Sequence, residues 1–166
     1  MSKGLYGRKD RLIKDKRHDA YQEREKLPEP TLCTQCNALY VNGRWTWNTE
    51  PDRTYRTVCP ACRRIAANYP AGYITLKGSF LAEHQHEIMN LILNEEKREK
   101  SDRPLERIIS IVGVGSQIEV TTTGIHVARR IGDSLSRAYD GELSFRYADS
   151  DRSIRVYWQR DLPNEL

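Results

Sequence analysis

The sequence predicts an α+β fold: a small cysteine-rich module followed by a domain whose elements run β-α-β-β-α-β-β. Three observations predict it. All four cysteines fall between residues 33 and 62, in two Cys-x-x-Cys pairs. From Tyr73 onward, stretches that alternate apolar and polar residues take turns with stretches whose apolar residues recur every three or four positions. Basic residues crowd the first 17 positions, where no apolar face is sustained.

Residues 1–30 read as a basic extended arm. Lys3, Arg8, Lys9, Arg11, Lys14, Lys16 and Arg17 stand against only Asp10 and Asp15, a local charge of +5 in a chain whose total is +4. The remaining body is therefore close to neutral. Leu12, Ile13 and Tyr21 are isolated among charges, and Leu27-Pro28-Glu29-Pro30 closes the segment because prolines disfavour helix continuation. A cationic arm on a near-neutral body points to a polyanionic partner, on which such an arm can order. A solubilising tail is the plainer alternative.

Residues 31–70 form the cysteine-rich module. About 40 residues are too few to fold dependably on a hydrophobic core alone, and metal binding supplies what the core lacks. Residues 71–160 form the α+β domain, and residues 161–166 a tail. Tyr73 to Lys77 alternates as a strand. Ser79 is placed to cap a helix carrying Leu81, His84, Ile88, Leu91 and Ile92 on one face. That helix should decay in the charged stretch from Glu95 to Arg103. The apolar run Ile108 to Val114 predicts a buried strand, and Gly115-Ser116 turns the chain into a strand at Ile118 and Val120. Thr123 is placed to cap a second helix with the stripe Ile125, Ala128, Ile131, Leu135, Ala138 and Tyr139. Leu143, Phe145 and Tyr147 alternate as a strand, Asp149-Ser150-Asp151 turns, and Ile154, Val156 and Trp158 alternate as the last one. This is a ferredoxin-like run plus one strand, with helices on one face of a mainly antiparallel sheet.

Cys33, Cys36, Cys59 and Cys62 follow the pattern C-x2-C, 22 residues, C-x2-C. Each pair aims two thiolates at one ion from a single tight turn, and two such turns make a closed tetrahedral site for one structural Zn2+. A redox pair and an iron–sulfur cluster are the alternatives, the second because four thiolates also bind iron. The two turns differ. Asn37 follows Cys36 and tolerates the left-handed conformation a knuckle needs. Arg63-Arg64-Ile65-Ala66-Ala67 follows Cys62 and reads as a helix start. A knuckle, a hairpin and a helix bearing the last ligand make a treble-clef-like module. Four protein ligands leave no open position, so the metal has a folding role rather than a catalytic one.

Arg44, Trp45 and Trp47 lie between the knuckles and can form a stacking surface for bases. The alternative has one tryptophan covering the metal site and the other packing on the main domain. Arg63 and Arg64 beside the second knuckle suit phosphate, which arginine contacts bidentately. Arg129 and Arg130 form another basic pair on the polar side of the second helix, where a solvated face is the usual explanation. Gly113-Val114-Gly115 is neither a dinucleotide fingerprint nor a P-loop, Glu83-His84-Gln85-His86-Glu87 is not HExxH, and His126 has no nucleophile beside it. No catalytic residue is assigned, and no small-molecule substrate is expected. No apolar run approaches the roughly 20 residues of a membrane helix, and no apolar stretch follows Met1-Ser2-Lys3-Gly4. A cytoplasmic protein without membrane partners is the expectation.

Three stretches carry a resemblance. They are Cys33-Thr-Gln-Cys36 to Cys59-Pro-Ala-Cys62-Arg63, Pro70-Ala-Gly-Tyr-Ile-Thr-Leu76-Lys77-Gly78, and Gln117-Ile-Glu-Val-Thr-Thr-Thr-Gly-Ile-His-Val-Ala-Arg-Arg-Ile131. Together they resemble a group of short bacterial four-cysteine zinc proteins of unassigned function. That group is similar in layout to the large-ribosomal-subunit export adaptor family named for nonsense-mediated decay factor three. The adaptor family carries more zinc-binding cysteines and further domains, so only the four ligands carry over, and export-receptor binding does not. The resemblance implies a ribosome-contacting protein. The resulting expectation is a non-enzymatic, zinc-containing RNA-binding protein that associates with ribosomal RNA, with the large subunit favoured, in assembly or in stress hibernation. A zinc-stabilised protein-interaction adaptor and a DNA-binding transcription accessory are the alternatives.

Overall fold

The computed structural model describes residues 26–49, 51–148 and 152–163; the cationic stretch 1–25 and the expected turn at Asp149-Ser150-Asp151 lie outside the described residues. The cysteine-rich module holds strands β1 (Thr31–Cys33), β2 (Leu39–Val41), β3 (Arg44–Thr46) and β4 (Tyr55–Thr57), then helix α1 (Pro60–Ala67). The strands order as β3-β2-β1-β4, with β4 parallel to β1. β2 and β3 are joined by Asn42 and Gly43, both at positive φ (57° and 79°), the primed turn whose twist suits a two-residue hairpin. Pro60 opens α1, where its missing N–H forfeits no helical bond. Asn68 ends the helix in the left-handed conformation at φ 49°. Leu32, Ala38, Leu39 and Ala61 are the only buried apolar side chains here besides Cys33 and Cys59, among the described residues. Such a core is small for a free-standing fold, which is where a metal contributes.

The larger domain holds β5 (Gly72–Lys77), α2 (Ser79–Glu83), α3 (Gln85–Asp102), β6 (Ile108–Val114), β7 (Gln117–Thr122), α4 (Ile125–Tyr139), β8 (Glu142–Ala148) and β9 (Ser153–Gln159). The predicted α+β order holds, with one helix divided in two. The sheet order is β6-β7-β5-β9-β8. Three of its four pairings are antiparallel and β5–β9 is parallel. The additional strand is therefore not appended at an edge. β9 doubles back from β8 and inserts beside β5, in the centre. Burial explains the choice: Ile154, Val156 and Trp158 of β9 are at most 1% exposed, whereas Leu143 and Phe145 of β8 are half-buried. The most apolar stripe takes the position flanked by strands at both edges. Burying a tryptophan contributes about 4–6 kcal/mol from area alone. Its indole N–H is satisfied by the Asp140 carbonyl at 2.7 Å.

The described helices cover one face of the sheet. Ile88 and Ile92 of α3 and Val127, Ala128, Ile131 and Leu135 of α4 form one core with Ile74, Leu76, Ile118, Val120 and the β9 stripe. No described helix is long and apolar enough to cross a membrane.

Five local expectations are corrected. The first helix breaks at His84 (φ −116°, ψ 21°), whose ring stacks on Phe80 at 3.9 Å. Ser79 is the first helical residue rather than the cap. Its N–H donates to Asp161 and its hydroxyl accepts from the Leu162 N–H, so its side chain fastens the tail. Gly78 precedes it at φ 109°, where a Cβ would collide with the Arg160 backbone. α3 does not decay from Glu95 but runs to Asp102, because ion pairs Glu95–Arg98 and Glu99–Arg103 knit its last turns. The run Ile108–Val114 is an edge strand, with Val112 and Val114 about half exposed rather than buried. Thr123 does not cap α4; Gly124 holds that position without a side-chain bond.

Candidate metal centre

The knuckle after β1 is closed by backbone bonds from the Cys33 N–H to the Ala38 carbonyl (2.8 Å) and from the Asn37 N–H to the Cys33 carbonyl (3.0 Å). Asn37 takes the left-handed conformation at φ 66°. This turn aims Cys33 and Cys36 inward. The second pair sits at the start of α1: Cys59 is the N-cap residue, its sulfur accepts from the Cys62 N–H, and Cys62 lies in the first helical turn. All four Sγ atoms lie within 4.8 Å of one another. Cys33–Cys62 and Cys36–Cys59 are each 3.8 Å apart. Four sulfurs on a tetrahedron with metal–sulfur bonds of about 2.3 Å are separated by about 3.8 Å, whereas a disulfide needs about 2.05 Å. No disulfide forms, and all four thiols are free. The donor set and spacing fit one closed structural metal site, and Zn2+ is the ion they suit.

The thiols are electrostatically unequal. Burial pushes Cys59 up, offset in part by the Cys62 N–H and Arg107, and burial likewise raises Cys62. Burial acts the same way on Cys33, but the N–H groups of Cys59, Cys36 and Gln35 outweigh it and hold that thiol at about 6. Two of those donors reach its sulfur at 3.2 Å (Cys59) and 3.4 Å (Gln35).

Arg107 is not among the residues expected at the site. It is 7% exposed and lies at the entry to β6, far along the chain from the knuckles. Its guanidinium donates to Cys62 Sγ at 3.3 Å, Cys36 Sγ at 3.4 Å and Cys59 Sγ at 3.1 Å. The Pro104 carbonyl takes Nε at 2.9 Å, and Thr123 Oγ1 takes the backbone N–H at 2.8 Å. Burial disfavours the guanidinium charge, but the bond to Cys62 and the other thiolates outweigh it and raise its pKa. Four thiolates around Zn2+ carry a net charge of −2, and Arg107 offsets half of it from the neighbouring domain. It ties the module to the sheet domain.

Next to Arg107, Glu106 is also buried. Its carboxylate accepts from the Val127 N–H at 3.2 Å, supplying from the segment before β6 the cap that Gly124 lacks. A Cβ on Gly124 would run into that carboxylate, so the glycine is needed for the approach. Burial raises the Glu106 pKa, partly opposed by the Val127 N–H and His126. A cavity of about 510 Å³ opens between the β2–β3 hairpin and the start of α4, with Arg44, Trp45, Arg64, Glu106 and Thr123 in its wall.

The sequence-predicted residues scatter. Lys3, Arg8, Lys9, Arg11, Lys14, Lys16 and Arg17 lie outside the described residues. Arg44 is exposed on β3. Trp45 packs against the cysteine cluster, 5.5 Å from the Tyr40 ring. Trp47 turns to the other domain and donates its indole N–H to the Lys100 carbonyl at 2.6 Å. Arg63 donates to Thr57 Oγ1 at 3.1 Å. Arg64 is corrected: it is 4% exposed, donates to the Tyr69 carbonyl at 2.9 Å and lies over the Tyr69 ring. It holds the end of α1 and presents no surface charge to phosphate. Arg129 and Arg130 are exposed, but Arg130 pairs with Glu99 at 3.1 Å, and Arg129 approaches Asp133 and donates to the Tyr147 hydroxyl.

No family model matches this chain, and no curated protein or solved structure matches it significantly.

Proposed function

We propose that the chain is a non-enzymatic, zinc-containing RNA-binding protein that associates with the ribosome, as an assembly or hibernation factor. The observation that carries this reading is the concentration of charge: +5 within residues 1–17 on an otherwise near-neutral body. Such an arm gains affinity for a polyanion by releasing counterions, without needing a shaped pocket. The four-thiolate centre agrees with the reading, because a closed site offers no coordination position to a substrate and acts by fixing the β2–β3 hairpin. That hairpin presents Arg44 beside the half-buried Trp45. The resemblance to the bacterial four-cysteine group supports the ribosome as the source of the RNA. The test is sedimentation of cell extract through low-salt and high-salt gradients across growth phases. The reading requires co-migration with ribosomal particles that salt abolishes. Sedimentation wholly at the top of low-salt gradients in every phase refutes it.

A second reading, a protein-interaction adaptor, is favoured by one feature. The edge strand β6 exposes Val112 and Val114, and an uncovered edge is a template for strand addition. It requires binding that survives both moderate salt and removal of residues 1–27. A DNA-binding accessory role is separated from the first reading by competition between duplex DNA and structured RNA.

A further inference from the structure

The helices cover one face of the five-stranded sheet, and no described element covers the other. Strand register places its side chains in rows. One row runs Ser110, Thr121, Tyr73, Arg155, Arg146, and the next runs Val112, Glu119, Thr75, Tyr157, Ser144. Every one of these ten residues is partly or fully exposed, whereas Ile74, Leu76, Val120, Val156 and Trp158, which alternate with them, are buried.

Three features of this face point to one kind of ligand. First, Tyr73 and Tyr157 stand on the adjacent central strands β5 and β9, two residues out of step. With parallel strands about 4.8 Å apart and a rise of about 3.3 Å per residue, that diagonal is about 8 Å, a separation successive bases of an extended single strand can span. Second, Arg155 and Arg146 face each other directly across β9 and β8. Like charges directly opposite are destabilising, and neither has a carboxylate partner among the described residues. Arg155 instead lies over the Tyr73 ring, 4.3 Å from its centroid. An anion bridging the two guanidinium groups would relieve the repulsion. Third, a cavity of about 300 Å³, enough for a nucleotide, adjoins Tyr157 and is walled by Thr75, Lys77, Ser144, Gln159 and the carboxylate-bearing Glu142. The wall offers hydroxyl and amide groups for base edges and an ammonium for phosphate. Glu142 shares the Lys77–Gln159 row and offsets that lysine, and Glu119 lies toward β6, so the positive charge of the face is concentrated at Arg155 and Arg146.

We infer that this open sheet face is a binding platform for single-stranded RNA. One base stacks on Tyr157 in the cavity, and Arg155 swings off the Tyr73 ring to hold the phosphate together with Arg146, which uncovers Tyr73 for the neighbouring base. Stacking on aromatic side chains of an open sheet is an established mode of single-strand recognition. The inference rests on the RNA-binding reading and adds a second surface, distinct from the arm and the zinc hairpin.

The test uses the full-length, zinc-loaded protein and fluorescence anisotropy with a labelled twelve-nucleotide oligo(U) and a twelve-base-pair RNA duplex. Circular dichroism confirms that each variant is folded, and open-face substitutions spare the core. The wild type should prefer oligo(U). Joint substitution Tyr73→Thr and Tyr157→Thr should weaken oligo(U) binding by tenfold or more, and Tyr→Phe at both positions should restore it. Arg146→Gln with Arg155→Gln should flatten the salt dependence by about 0.7 in log–log slope, the change for the one phosphate the pair holds. Ultraviolet crosslinks should map to peptides of β5 and β9. If the wild type binds RNA and the threonine variant binds oligo(U) equally well, the platform is refuted while the RNA-binding reading stands. If the wild type binds no RNA of either kind, both fall.

Discussion

Replacing Arg107 by methionine keeps most of the side chain's bulk and removes its charge. The guanidinium makes three N–H···S contacts between 3.1 and 3.4 Å and one bond to the Pro104 carbonyl. Removing one partner of a buried ion pair costs about 3–5 kcal/mol, because the opposite charge stays behind. Loss of an outer partner of a metal ligand lowers metal affinity about 10–100-fold, or about 1.4–2.7 kcal/mol. The remainder is the orphaned Pro104 carbonyl and the loosened packing between module and domain. At about 2–4 °C per kcal/mol for a chain of this size, the zinc-loaded variant should melt about 6–20 °C below wild type. Arg107→Lys should fall between, since an ammonium keeps the charge but not the fork. The assay pairs thermal melting with chelator competition for zinc. Methionine and wild-type proteins that agree within about twofold in affinity and about 2 °C in Tm would refute the coupling.

Three further outcomes follow from the same geometry. Chelation should unfold residues 31–70 selectively, shifting the fluorescence of Trp45 and Trp47, while amide exchange at β5, β7 and β9 stays slow; uniform loss of protection would show that the sheet domain depends on the metal. Glu106→Gln keeps an acceptor for the Val127 N–H and removes a buried charge. Burial raises the Glu106 pKa, so its favourable contribution is complete below the unfolded value and is lost as pH rises through the folded one. The Tm difference, variant minus wild type, should therefore become more positive from pH 4 to pH 8, and a flat or falling difference contradicts the assignment. Ile131→Ala should cost about 2–5 kcal/mol because Ile131 is fully buried, whereas Leu93→Ala, at a site 47% exposed, should cost well under about 1 kcal/mol; chemical denaturation compares them, and equal losses would place α3 or α4 wrongly.

What the sequence disclosed depended on range. Cysteine spacing is a local signal, and it located both knuckles and the helix at the second. Periodicity is local too, and it recovered the element order from β5 to β9. It failed where a distant residue decided the outcome. Asp161 and Leu162 take over Ser79, and Glu106 replaces Thr123 as the cap of α4, so neither cap was visible from its neighbours. An apolar run such as Ile108–Val114 reads as buried whether it is central or at an edge, because periodicity counts residues and not neighbours. β8 and β9 alternate alike; only the larger, fully buried stripe of β9 separates the inserted strand from the edge strand. Arg107 was missed because its partners are 45, 48 and 71 residues away. The one available signal was a charged pair, Glu106-Arg107, at the mouth of an apolar strand, where unpaired charge is costly.

The central claim is that four thiolates hold one structural metal ion that positions the hairpin and recruits Arg107. X-ray absorption at the zinc edge, with metal analysis of the same purified sample, tests it most directly. One zinc per chain is expected, bound by four sulfurs at about 2.3 Å with no nitrogen or oxygen. A shell containing fewer than four sulfurs, or iron in place of zinc, would contradict it.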